Sequence, residues 1–340
     1  MRLLSRAIKV FDLDLAGIPV LTEAASGVFA CTPLLAACAG AQTTAVTRDS
    51  RYGSAAEVGD FLRTLAAELG VSSRLSIHEG AAADVCAKAA LPTNLGFVRP
   101  IDRSVVERLP ADAAIALMWE GWEARAEDID FAAAAACGVP IVGTNEDDER
   151  VKTLEYLGPL AVKLLFEAGI EVLCSRLLVV GSEPFGGRIA AALARFGAAS
   201  VMHENPEQSA HIDAAMLAGL DAVVVAEHRS SALIIGSGGL LDPAQLAAAG
   251  VAVIHISGST DDSALTAAGI RKVPARSVPP RHMTVTTAYC GPRPVVDLHT
   301  AGLKVGEIMV RARRGGADAA GAERAALASG LGSPLPGHLR

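Results

Sequence analysis

The residues best placed for chemistry lie in "VVGSEPFGGRIAAALARFGA", where Gly181, Gly186 and Gly187 surround Glu183 and Arg188 follows. An apolar strand, a glycine-rich bend and a helix together aim backbone N–H groups at a diphosphate. The first glycine makes the bend, the second admits the pyrophosphate and the third lets helix and strand pack. Gly181 and Gly186 fill the first and third places, and Glu183 takes the second. A carboxylate there brings bulk and like charge, a repulsion of ~1–4 kcal/mol at ~4 Å. Gly187 and Arg188 open the helix, the arginine as a counter-charge. "SVMHE" ends at Glu204, twenty-three residues after Gly181, where an acid grips adenosine ribose hydroxyls. Two readings stay open: a dinucleotide site with Glu183 turned aside, or the same shape without a dinucleotide.

Other polar groups gather elsewhere. "TRDSRYGS" sets Arg48 and Arg51 after a strand-like run. Strand-end loops are where open α/β sheets bind ligands, so either arginine could grip an anionic substrate; a solvated loop is equally compatible. Trp119 and Trp122 end another strand and suit packing or substrate stacking. His203–Glu204 and Glu227–His228 end consecutive strands, expected to be neighbours in the sheet. They offer zinc-type donors, but adenosine-pocket polarity explains them with less machinery, and no metal is expected. "RHMTVTTAYCGPRPVVDLHTAGLKVGE" concentrates His282, Arg293, Asp297, His299, Lys304 and Glu307. Helical spacing sets Arg293 beside Asp297, which fits a surface helix with a salt bridge or a segment supplying site groups.

What positions these residues is an α/β alternation. Apolar runs such as "TTAVTR", "PIVGTN", "RLLVVGS", "DAVVVAE" and "VAVIHIS" alternate with Ala- and Leu-rich helical segments. Strands apolar throughout mark parallel sheets covered on both faces. The expected class is α/β with two doubly wound domains: a flavodoxin-like substrate domain over 1–150 and a Rossmann-type cofactor domain over 151–290. A helix over 291–313 returns to the first domain, and a mobile tail covers 314–340. Asp147 and Asp148 suit the N-terminus of a long helix at the boundary.

The chain has 340 residues, 51% of them hydrophobic and only 4% aromatic, so its cores rest on Ala, Val and Leu. A net charge of −7 argues against nucleic-acid binding, which needs basic surface. No apolar run reaches the ~18–20 residues that span a bilayer. Asp12 and Asp14 interrupt the opening segment, so neither a membrane span nor a signal peptide is expected. Six cysteines without ligand spacing read as buried reduced thiols, giving a cytoplasmic expectation.

The run from Ala126 to His282 resembles the D-2-hydroxyacid dehydrogenase superfamily, which includes formate and glycerate dehydrogenases. "IDFAAAAACGVPIVGTN" is similar to the segment before that family's interdomain helix, "GSEPFGGRIAAALARFGAASVMHE" to its cofactor segment, and "VAVIHISGSTDDSAL" to its catalytic-arginine turn. The resemblance implies NAD bound by Gly181, Glu183, Gly186, Gly187, Arg188 and Glu204, a small-molecule substrate in the interdomain cleft, and a homodimer. It implies His282 as the acid–base group and a C-terminal segment, with Arg293, returning to the cleft as a substrate contact; Arg48 or Arg51, in their strand-end loop, could grip an anion in place of the family's arginine. The departures are specific. Ile256 or Ser257 stands where the family keeps its carboxylate-binding arginine, and no arginine lies between Arg229 and Arg271. The family's later glutamate is also missing. The expectation is therefore a divergent NAD(P)-dependent oxidoreductase, the alternative being a dehydrogenase-derived protein without net redox activity: a lyase, a transferase or a binding subunit.

Overall fold

The computed structural model describes residues 2–209 and 211–339. The chain divides into two compact units, Met1–Lys152 with Pro292–Arg340, and Thr153–Gly291.

The first unit begins with α1 (Arg2–Phe11), β1 (Val20–Glu23), α2 (Cys31–Cys38), β2 (Thr43–Thr47), α3 (Ala55–Glu68) and β3 (Leu75–Glu79). It continues through β4 (Leu91–Pro92), α4 (Arg103–Val106), β5 (Ile115–Ala116), α5 (Phe131–Cys137) and β6 (Ile141–Thr144). The order β3-β2-β1-β4 is parallel. A parallel bridge from Thr93 to Ala116 carries it on to β5, which pairs with β6. With edge strand β3 set aside, the order β2-β1-β4-β5-β6 is flavodoxin-like, reversing direction between β1 and β4. Local chemistry sets the helix ends. Ser54 and Glu57 form a reciprocal capping box on α3, and Asp130 caps α5 while Gly138 closes it at φ 65°, a left-handed conformation that glycine adopts without steric cost.

The second unit holds α6 (Leu157–Glu167), β7 (Arg176–Val180), α7 (Phe185–Arg195), β8 (Ser200–Glu204), α8 (Ala214–Leu217) and β9 (Ala222–Ala226). It ends with β10 (Leu233–Ile235), α9 (Pro243–Ala249), β11 (Ala252–Ser257), β12 (Ser259–Thr260), α10 (Asp262–Ala267) and β13 (Lys272–Val273). Its five-stranded sheet runs β13-β11-β9-β7-β8, all parallel. Every residue of β9 is buried, because helices cover both faces. Leu160, Leu164, Ile189 and Leu193 pack on one face, and Leu217, Leu246 and Leu265 on the other. Asp147 and Asp148 do not start a helix; they lie in turns ahead of α6, where Arg150 donates to Asp148 at 2.7 Å.

The remaining chain completes the first unit with α11 (Arg293–Arg314), α12 (Ala319–Ala328) and β14 (Gly332–Ser333). The structure corrects two expectations. The expected mobile tail over 314–340 is, across its described residues 314–339, no loose segment: Ala322 and Ala326 of α12 are buried, and β14 pairs antiparallel with β6. Nor is α11 a surface helix, since Val296, Leu303, Val305 and Met309 are buried. Its polar residues resemble a solvated face in sequence but have distant partners. Asp297 takes Arg6 at 2.9 Å rather than Arg293, His299 meets Thr32 at 2.6 Å, and Glu307 accepts the Asp14 N–H at 3.0 Å beside its helix neighbours Lys304 and Arg311.

Candidate functional site

In the second unit the chain leaves β7 through Gly181 and turns into α7 within a few residues. The glycines at both ends are sterically required. A Cβ on Gly181 would lie 2.5 Å from the Ala226 carbonyl oxygen, and one on Gly186 would collide with the Gly181 carbonyl. Strand and helix therefore meet backbone to backbone. His203 Nε2 lies 2.8 Å from the same Gly181 carbonyl and fixes the neighbouring strand end.

The amides of this turn are partly committed. The Gly186 N–H donates to Ser182 O at 3.0 Å, and the Ser182 N–H donates to Glu227 Oε2 at 2.9 Å. Pro184 has no N–H to offer. The N–H groups of Glu183, Phe185 and Gly187 lie outside these bonds. The Glu183 carboxylate folds over the first turn of α7, where a Cβ on Gly187 would collide with it; its Oε1 lies 3.8 Å from His203 Nδ1. Arg188 pairs with Glu155 at 2.5 Å.

Glu227 carries the part that sequence reasoning misses. It follows β9 directly and is fully buried. Oε2 accepts the Ser182 N–H at 2.9 Å and the Ser182 hydroxyl at 2.5 Å, and Oε1 accepts the Arg229 and Ser230 N–H groups at 2.7 Å each. Burial alone would push this carboxyl up, but the Ser182 hydroxyl and the three amides outweigh burial and hold it below the usual range. The sequence does hold a signal, an acid closing a wholly apolar strand opposite a glycine turn. Beside it, His228 stacks on Phe185 with ring centroids 3.9 Å apart, and burial lowers its pKa to about 4, which leaves the ring neutral at pH 7.

The other expected residues are dispersed. Glu204 ends β8 and accepts the Ser209 hydroxyl at 2.5 Å. His282 sits exposed in a turn after β13, its Nδ1 3.0 Å from Pro280 O, next to the Met283–Ser257 bridge. His203–Glu204 and Glu227–His228 are not on neighbouring strands: β7 lies between β8 and β9 because the chain crosses over β7 after β8. Among the described residues no group of three or more such side chains is arranged to hold a metal ion. In the first unit, Arg48 follows β2 and lies over the Phe97 ring at 5.0 Å. Arg51 donates to Tyr52 OH at 2.6 Å, and Arg293 is exposed at the start of α11. Glu23, at the end of β1, is buried and raised in pKa, with the Phe97 N–H and Arg99 opposing that shift.

A second acidic group occupies the first unit. Glu120 accepts the Glu146 N–H at 2.8 Å and the Ser333 hydroxyl. Burial first, then the charges of Glu123, Glu120 and Asp147, push Glu146 well above 4.5. A raised folded-state pKa means that folding favours the protonated form. Its contribution is full below the unfolded value and is lost as pH rises through the folded one. Glu146→Gln, which mimics the protonated form, should therefore melt higher than wild type at pH 7.5, by ~2–4 °C for each kcal/mol recovered. Its advantage should vanish toward pH 4.5. Melting curves across that range test this, and equal melting at pH 7.5 would contradict it.

An NAD-type dinucleotide needs free amides and room at the helix start. As folded, these residues do not fit its diphosphate: Ser182 is committed, Pro184 has no donor, and Glu183 lays its carboxylate across the position. No family model matches the chain, and no curated protein matches it in sequence. Among solved structures it is similar to a dipicolinate synthase chain from Bacillus subtilis. That match has a TM-score of 0.56 and 11% identity, covering 89% of this chain and 99% of that one. A dipicolinate synthase chain from Bacillus halodurans gives 0.48 and 13% over 88% and 98%. An NAD-dependent formate dehydrogenase from Staphylococcus aureus in complex with NAD gives 0.42 and 12% over 80% and 94%. What the chain shares with the Bacillus subtilis structure is the fold, two α/β units. Among the described residues no helix is long and apolar enough to cross a membrane.

Proposed function

We propose that this is a dehydrogenase-derived protein that binds or transforms a small molecule without net hydride transfer. The observation that carries this reading is the Glu183 carboxylate folded over the start of α7, on ground a diphosphate would need. Two like charges at ~4 Å repel by ~1–4 kcal/mol, and Arg188, which opens α7, is paired with Glu155. Arg48 supports a small anionic ligand in the first unit, because its exposed guanidinium stands at the strand ends where open sheets bind ligands. Arg51 and Arg293 are further exposed cations for the same ligand class. Phe166 and Phe196, each more than half exposed on or beside α6 and α7, support self-association through an apolar face.

One observation favours a second reading, an NAD-dependent oxidoreductase with His282 as acid–base group: Glu204 ends β8 where ribose hydroxyls would be gripped. Thermal shift with millimolar NADH and NADPH separates the two. Wild type should not respond, whereas a ligand at a hundred times its Kd stabilises by ~2.7 kcal/mol. A shift of several degrees in wild type would overturn the non-redox reading. A shift gained only by Glu183→Gly would assign the block to that carboxylate.

A further inference from the structure

We propose that the point where β7 and β9 diverge is an oxyanion-binding nest that the chain fills with its own Glu227. Four donors converge there from two loops: the Ser182 N–H and hydroxyl after β7, and the Arg229 and Ser230 N–H groups after β9. Both carboxylate oxygens are used, two donors to each. The crevice is closed to bulk solvent, since Glu227 and Ser182 are each 0% exposed. Backbone amides aimed at one buried point bind an anion and tolerate little else, because a neutral occupant would strand donors that water cannot reach. The loop after β11 also approaches closely: a Cβ on Gly258 would lie 3.1 Å from the Glu227 Cβ.

This inference rests on the reading that no dinucleotide occupies the turn, and it adds what takes the vacated role. In an open α/β sheet the divergence point is where a ligand's anion is expected. Here the anion is covalently part of the chain, so the second unit is complete without a cofactor. The ligand class of the bare nest is a small oxyanion, either a carboxylate or a tetrahedral phosphate or sulfate.

The test removes the internal anion and offers an external one to the full-length chain. Glu227→Ala should melt well below wild type in chloride. Sodium acetate or inorganic phosphate should then raise its melting temperature saturably and recover at least half the loss. Wild type should show only the small, non-saturating salt response of any folded protein. If both anions move the variant no more than wild type, the nest is not an anion site and the inference falls. Should Glu227→Ala fail to fold, Glu227→Gln reads the same point by hydrogen exchange. Its amide group keeps the volume but loses two acceptors, so exchange at Ser182, Arg229 and Ser230 should quicken at least tenfold relative to the core of β9. Unchanged exchange there would overturn the inference. The two proposals fail separately: stabilisation of wild type by NADH defeats the non-redox reading but leaves anion recovery by Glu227→Ala untouched.

Discussion

Arg6→Ala should destabilise the first unit by ~3 kcal/mol at neutral pH, because it strands the buried Asp297 carboxylate. The two are 291 residues apart and make two hydrogen bonds, at 2.9 and 3.1 Å. The Asp297 side chain is 4% exposed and that of Arg6 is 39% exposed. Water can partly replace a guanidinium that open, which places the loss at the lower end of the ~3–5 kcal/mol typical of a broken buried pair. Burial already raises the Asp297 pKa, with Arg6 acting against that shift. Without Arg6 the carboxyl rises further and takes up a proton more readily. The destabilisation should therefore be largest at neutral pH and shrink as pH falls into the carboxylate range. Denaturant titrations of wild type and variant at pH 7 and pH 4 measure this. An equal loss at both values would show that packing, not charge, is what Arg6 contributes. The double variant Arg6→Met with Asp297→Leu should recover most of the stability, since no charge is left to strand.

Gly186→Ala should cost ~3 kcal/mol or more, at the top of the range for an overpacked site. The added methyl would run into the Gly181 carbonyl, just after β7, and into His203 Nε2. A histidine ring can rotate away; the Gly181 carbonyl is main chain, held in place by its own N–H, which donates to Glu204 O at 3.0 Å. Helix α7 would have to lift from the strand, disturbing Ile189 and Leu193 in the core beneath. Gly187→Ala is the control. Its obstacle is the flexible Glu183 carboxylate, and alanine is favoured over glycine inside a helix by ~1 kcal/mol. It should therefore be neutral or stabilising in the same melting experiment. If both variants melt alike, the close approach of strand and helix is not what fixes Gly186.

Most of the architecture is legible in the sequence because buried parallel strands must be apolar throughout. "DAVVVAE" and "RLLVVGS" announce β9 and β7 without help from any other part of the chain. The glycine spacing at Gly181 and Gly186 is legible for the same local reason. Less legible is whatever depends on a distant partner. Asp297 reads as one end of an i,i+4 pair with Arg293, and only the packing of α1 on α11 brings Arg6 instead. His203–Glu204 and Glu227–His228 look adjacent because their strands are consecutive, but sheet order is set by the crossover and puts β7 between them. Glu227 is visible as an acid at a strand end, yet its role comes from donors forty-five residues away at Ser182. Alanine-rich α12 escapes notice because small residues give weak periodicity, although Ala322 and Ala326 pack closely.

The split of the first unit across both ends of the chain has a consequence during synthesis. Strands β1 to β6 leave the ribosome early, but the helix that buries beside them, α11, and the strand that pairs with β6 come last. The second unit draws its whole sheet from one uninterrupted stretch, Thr153–Gly291. Contacts close in sequence form sooner than distant ones, and domains fold as units while the chain emerges. The middle of the polypeptide is thus the part able to settle first, while the earlier-made portion waits, with apolar surface uncovered, for its final partner to arrive.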